Sequence, residues 1–172
     1  MKRKLFELAL MPLFGTIMFI SKLIMDALPN MHLIAMFIVL FTVLFRVKAL
    51  IAIYVFVFLT GIYGGFGVWW APYLYIWTVL WGVVMLLPQN MRPLTASTVY
   101  IIVCGLHGFL YGVLYAPFQA LAFGLDFNGA VAWVIAGLPF DITHGISNLV
   151  AGSLVLPLLV PLKRVLAKYR NL

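Results

Sequence analysis

Long apolar runs alternate with short polar breaks along this chain, and six of the runs read as helices crossing a bilayer. They cover residues 5–28, 32–45, 49–66, 73–87, 94–123 and 139–166, the second being short against the roughly 17–25 residues of a tilted span. Residues 124–138 enclose AVAWVIAG, too short to cross, and this piece is expected to lie as a half-helix over one mouth of the bundle. The runs are continuous rather than alternating, which excludes a transmembrane barrel. Polar interruptions last only a few residues, so 1–172 reads as a single transmembrane domain. The expected class is an all-α integral membrane protein of six transmembrane helices.

Composition agrees, with 66% of residues hydrophobic and 9% charged. A net charge of +7 can signal nucleic acid, but the placement of the cations reads as topology instead. Lys2, Arg3, Lys4, Arg46, Lys48, Arg92, Lys163, Arg164, Lys168 and Arg170, ten of the eleven basic residues, fall on one side of a six-span chain, and only Lys22 falls opposite. By the positive-inside rule both termini are cytoplasmic, and no nucleic-acid partner is implied. The opening Met-Lys-Arg-Lys resembles a signal peptide, but the apolar run continues past Leu13 without a small-x-small cleavage site. The single cysteine, Cys104, excludes a disulfide framework.

Against this apolar background, LPFDITHGISN (138–148) places Asp141, His144 and Asn148 at i, i+3 and i+7, on one helix face. Carboxylates and imidazoles cost a few kcal/mol each within a bilayer, so such a stripe faces the bundle interior or a wet cavity. The plainer alternative is that Asp141 caps the last helix behind Pro139 and that His144 bonds a backbone carbonyl. The fifth run carries a second stripe, His107, Tyr111, Tyr115 and Gln119, one every four residues, with Gly108 and Gly112 on an adjacent face suited to close helix contact. On consecutive antiparallel helices the two stripes converge in the outer half of the bundle. The loop GGFGVWWAPYLYIW adds Trp69, Trp70, Tyr73, Tyr75 and Trp77. An interfacial aromatic belt would explain the rings alone; the three glycines beside them favour a mobile lid over the cavity.

Neither GxSxG nor HExxH occurs, so no enzyme activity is expected, and Ser21, Ser97, Ser147 and Ser153 read as helix-packing hydroxyls. No cofactor is called for. The absence of a Walker motif means that ATP-driven transport would be powered by another subunit. His32, His107, Asp141 and His144 could be imagined around a metal, but no pair stands at the HxxxH or HxxH spacing of helix-borne ligands.

Four stretches, LPNMHLIAMFIVLFTVLFRVKALIAIYVFV (28–57), FGVWWAPYLYIWTVLWG (66–82), CGLHGFLYGVLYAPFQAL (104–121) and LPFDITHGISN (138–148), are spread along most of the chain. In these stretches it resembles the substrate-binding S-components of energy-coupling factor transporters. The resemblance implies an S-component-like six-helix bundle in the bacterial plasma membrane that binds a small water-soluble vitamin in an outward-facing cavity. The partners it implies are a transmembrane coupling subunit and two ATPase subunits, which make the S-component topple in the lipid bilayer. It also implies that a small-residue AxxxA face on the first helix docks the coupling subunit. Here Ala9 is followed by Leu13, with Gly15 beyond, a departure from that motif. The substrate-binding set is then Asp141, His144, Asn148, His107, Tyr111, Tyr115, Gln119, Trp69, Trp70 and Tyr73. Aromatic faces with hydroxyl- and nitrogen-bonding partners, and no outer Arg, favour a pyridoxine-type vitamin over an anionic one such as folate. Hydroxymethylpyrimidine, niacin, pantothenate and cobalamin stay open. A transition-metal uptake subunit and a non-transporting membrane scaffold are the alternatives.

Overall fold

The computed structural model describes residues 2–170, with side chains from Leu8 to Lys168. All regular structure among them is helical: α1 (Lys2–Ile24), α2 (Ile34–Phe45), a 3-10 turn at Arg46–Lys48, α3 (Ala49–Gly64), α4 (Tyr73–Leu86), α5 (Pro93–Phe109), α6 (Tyr111–Phe123), α7 (Phe127–Gly152) and α8 (Val155–Arg170). By length and composition three helical stretches, Ile34–Gly64 (counted through the turn at Arg46–Lys48), Pro93–Phe123 and Phe127–Gly152, are long and apolar enough to cross a membrane, and Leu8–Ile24 and Tyr73–Leu86 are shorter apolar helices. Large apolar side chains stay exposed around the whole surface, among them Ile24, Phe58, Leu94, Leu121 and Val150.

The bundle is built around α2, of whose twelve residues nine are buried. Its entire sequence, IAMFIVLFTVLF, is apolar apart from Thr42 and therefore suited to neighbours on every side. Phe14 of α1 stacks on Phe41 with ring centroids 4.5 Å apart. At Arg46 the backbone takes φ 54° and ψ −123°, and the chain doubles back into α3. The reversal is visible at Trp77 of α4, whose ring meets both His32, just before α2, at 5.9 Å and Phe56 of α3 at 6.0 Å.

Three features differ from the sequence expectation. The fifth run is divided at Leu110 into α5 and α6. The expected half-helix at 124–138 does not exist as a separate piece: α6 ends on Gly124 in the left-handed region (φ 66°), and α7 runs unbroken from Phe127 through Pro139 to Gly152. The reason is local. Asp126 accepts the Gly129 N–H at 2.7 Å and so starts α7 well before Pro139. The first half of α7 packs antiparallel on α6, and the expected last span breaks at 153–154 before α8.

The principal helix pair is α5 with α7. A Cβ on Gly108 would stand 2.8 Å from the His144 carbonyl oxygen and from Gly145 Cα, so only glycine allows this approach.

Candidate functional site

The α5–α7 seam brings the two sequence stripes against each other. The Asp141 carboxylate accepts the Gly112 N–H at 3.1 Å on each oxygen. Gly112 is the second residue of α6, so Asp141 caps α6, where the exposed N–H groups and the helix dipole favour an anion. It does not cap its own helix, as the plainer sequence alternative held; that cap is Asp126. One turn on, the His144 ring meets the Tyr111 ring at 4.8 Å, and a further turn places Asn148 beside Gly108.

Above His144 the loop between α1 and α2 closes a cavity of about 190 Å³, lined by Lys22, Met25, Asp26, Leu28, Pro29, Asn30, Met31, His32, Tyr73, Tyr111 and His144. His32 crosses His144 edge-on at 4.6 Å. Behind this lining the rings continue inward, from His32 to Trp77, from Trp77 to His107 at 5.4 Å, and from His107 to Tyr111 at 6.1 Å.

What sets this cluster apart is unused hydrogen-bonding capacity. His32 Nδ1, Trp77 Nε1, His107 Nδ1, His144 Nε2 and both polar atoms of the Asn148 amide are buried without a protein partner. Buried polar groups are nearly always paired, and each unpaired one costs about 1–3 kcal/mol. Chemistry fixes two of the roles. His107 Nε2 lies 3.2 Å from the Ile76 carbonyl, which only accepts, so Nε2 carries the proton and Nδ1 presents a lone pair. Trp77 Nε1 can only donate. The cluster therefore offers one fixed acceptor, one fixed donor, an amide with both, and two imidazole nitrogens free to take either role.

Of the ten residues read from sequence as substrate-binding, Tyr73, Tyr111 and His144 line the cavity, His107 and Asn148 are buried behind that lining, and Asp141 is buried against the start of α6. The others point elsewhere. Tyr115 donates to the Trp69 carbonyl at 2.9 Å and stacks on Trp133 of α7 at 5.6 Å. Gln119 lies a turn further along α6, away from the cavity lining. Trp70 donates to the Val57 carbonyl at 2.8 Å, and Trp69 folds over Gly64 and Gly67, so the expected aromatic lid lies along the end of α3. The segment that covers the cavity is 25–31. Sequence reasoning left His32 and Trp77 out of the site, although His32 follows directly on that polar break. Among the described residues, no three His, Cys, Asp or Glu side chains gather closely enough to share a metal ion.

On α1, Gly15 packs onto the Ala52 carbonyl and Val55 of α3, while Ala9 and Leu13 are exposed. The three residues expected to dock a partner therefore do not share one open face.

No family model matches this chain, and neither a curated protein nor a solved structure matches it.

Proposed function

We propose that this protein is a membrane-embedded substrate-binding subunit of the energy-coupling factor type, taking a small water-soluble vitamin into the cavity beneath the α1–α2 loop. The observation that carries this reading is the concentration of unpaired buried donors and acceptors on His32, Trp77, His107, His144 and Asn148. A scaffold that only held helices together would have satisfied them against one another. In this reading the bundle spans the bilayer six times with both termini inside. The apolar surface and the one-sided cations support that placement.

Ligand chemistry follows from the lining. A cavity of about 190 Å³ lies below the roughly 300–1,000 Å³ of drug-sized sites and favours a single-ring compound over folate or cobalamin. Tyr73, Tyr111 and His144 supply ring faces in the lining, and the imidazole nitrogens of His32 and His144, each able to donate or accept, fit a heteroaromatic ring carrying both kinds of group, as pyridoxine does. Asp141 has a positioning role in this scheme, since it fixes the start of α6 and with it Tyr111. Uptake requires the coupling subunit and its two ATPases, with Ala9 and Leu13 as the open part of the docking face.

The test is purification in detergent, identification of the copurifying small molecule by mass spectrometry, and titration by tryptophan fluorescence. His107→Ala with His144→Ala should weaken binding by roughly tenfold to a hundredfold or more. A folded double variant with wild-type affinity would sink the reading. So would accumulation of the compound by the chain alone in liposomes without ATP.

A further inference from the structure

At the end of the bundle opposite the vitamin cavity a second, larger pocket of about 440 Å³ opens between the end of α2, the α4–α5 connection, α5 and α8. Its lining sorts by chemistry. Arg46 and Lys163 bring positive charge, Gln89, Asn90 and Tyr100 bring neutral polar groups, and Val43, Leu44, Val84, Leu87 and Leu166 form apolar walls. No Asp or Glu among the described residues lines it.

Arg46 is held firmly in place. Its guanidinium donates to the Met85 carbonyl at 2.6 Å, its own carbonyl accepts from Trp81 Nε1 at 3.2 Å, and its N–H donates to the Thr42 carbonyl. It keeps φ 54°, which few residues other than glycine adopt and which costs on the order of 1–3 kcal/mol. A surface cation meant only to mark topology needs neither the strain nor the pinning. Two cations with no acidic residue beside them among the described residues of the lining, in a pocket whose volume falls in the range of about 300–1,000 Å³ for ligand sites, call for an anion that also carries apolar surface.

We propose that this pocket binds the phosphate of an anionic phospholipid, with the phosphate on Arg46 and Lys163 and the first acyl carbons along Leu44 and Leu166. The inward placement of the basic end, part of the proposed membrane orientation, puts the pocket at the anionic cytoplasmic leaflet. The identity of the vitamin does not enter.

Native mass spectrometry of the delipidated full-length protein tests the proposal, with phosphatidylglycerol, phosphatidylcholine and glycerol 3-phosphate as probes. Phosphatidylglycerol should bind more tightly than phosphatidylcholine. Lys163→Gln should lower its affinity by about fivefold, and Lys163→Gln with Arg46→Gln by about twenty-five-fold, from the usual worth of one basic residue at a charged membrane surface. Lys168→Gln, an exposed cation on α8 outside the pocket, should change nothing, and vitamin binding should survive Lys163→Gln. Lys163 is exposed and holds no neighbour in place, so its variant reports on binding even if the Arg46 change disturbs the fold. Equal affinity for the two lipids, or wild-type affinity in Lys163→Gln, overturns the site. Displacement of the lipid by glycerol 3-phosphate overturns the lipid as its occupant in favour of a soluble phosphate compound.

Discussion

The core around α2 and the seam between α5 and α7 bury their side chains by opposite means. Around α2, large apolar groups such as Ile34, Ile38, Leu40, Phe56 and Trp77 interlock with almost no exposed surface. Along the seam, glycine lets two backbones meet, and the side chains left over are Asp141, His144 and Asn148. Around α2 the buried side-chain atoms left unpaired are Thr42 Oγ1 and, where that core meets the seam, Trp77 Nε1, whereas the seam leaves unpaired His107 Nδ1, His144 Nε2 and both polar atoms of the Asn148 amide. In the proposed function, stability and binding are thus lodged in different helix pairs, joined at Trp77, whose ring meets Phe56 on one side and His107 on the other.

The largest effect should come from the apolar side. Phe56 is fully buried against Trp77, and Phe56→Ala removes a ring that nothing can replace. Such changes cost about 3–5 kcal/mol in water-soluble cores. In the proposed membrane setting the lower end applies, because lipid, unlike water, solvates the separated helices well. Thermal unfolding in detergent should show the loss, and an unchanged midpoint would break the division between the two regions.

Next comes Asp141, the seam side chain that holds the start of α6. Asp141→Ala leaves the Gly112 N–H without its carboxylate and should cost about 1.5–3 kcal/mol, the value of a hydrogen bond to a charged group. Asp141→Asn keeps an acceptor and should recover part of that. If Asp141 touches ligand directly instead, ligand affinity will fall in both variants while the unfolding midpoint stays put.

Legibility in the sequence followed the range of each interaction. Periodicity revealed the helices and placed His107, Tyr111, His144 and Asn148 on faces that do meet, because helix-face spacing is a local property. Pro139 misled, since it reads as a helix start while the cap that starts α7 is Asp126. The break at Leu110 is invisible locally: the group that holds it, Asp141, lies on another helix. His32 joins the cluster only because the α1–α2 loop lies over His144, and Trp70 leaves the expected lid because the Val57 carbonyl is in reach of its indole. Glycine beside aromatics was read as mobility, whereas Gly64 and Gly67 instead make room for the flat Trp69 ring.

The smallest change in stability should accompany a large change in function, and Asn148 is where to look for it. Its side chain is completely buried, and neither amide atom has a protein partner. Asn148→Leu keeps the branched shape at a larger volume and removes both unpaired groups, so relief of the unpaired amide offsets the tighter packing and the unfolding midpoint should hold to within about 1 kcal/mol. Ligand affinity should fall by roughly tenfold or more if, as the proposed function has it, a bound molecule reaches past His144 to pair with the amide that the substitution turns to hydrocarbon. A fall in affinity at a held midpoint is the signature of a group kept for binding rather than for folding. An Asn148→Leu variant that loses stability without losing affinity would place Asn148 with the α2 core instead, as a packing residue whose amide the seam itself satisfies.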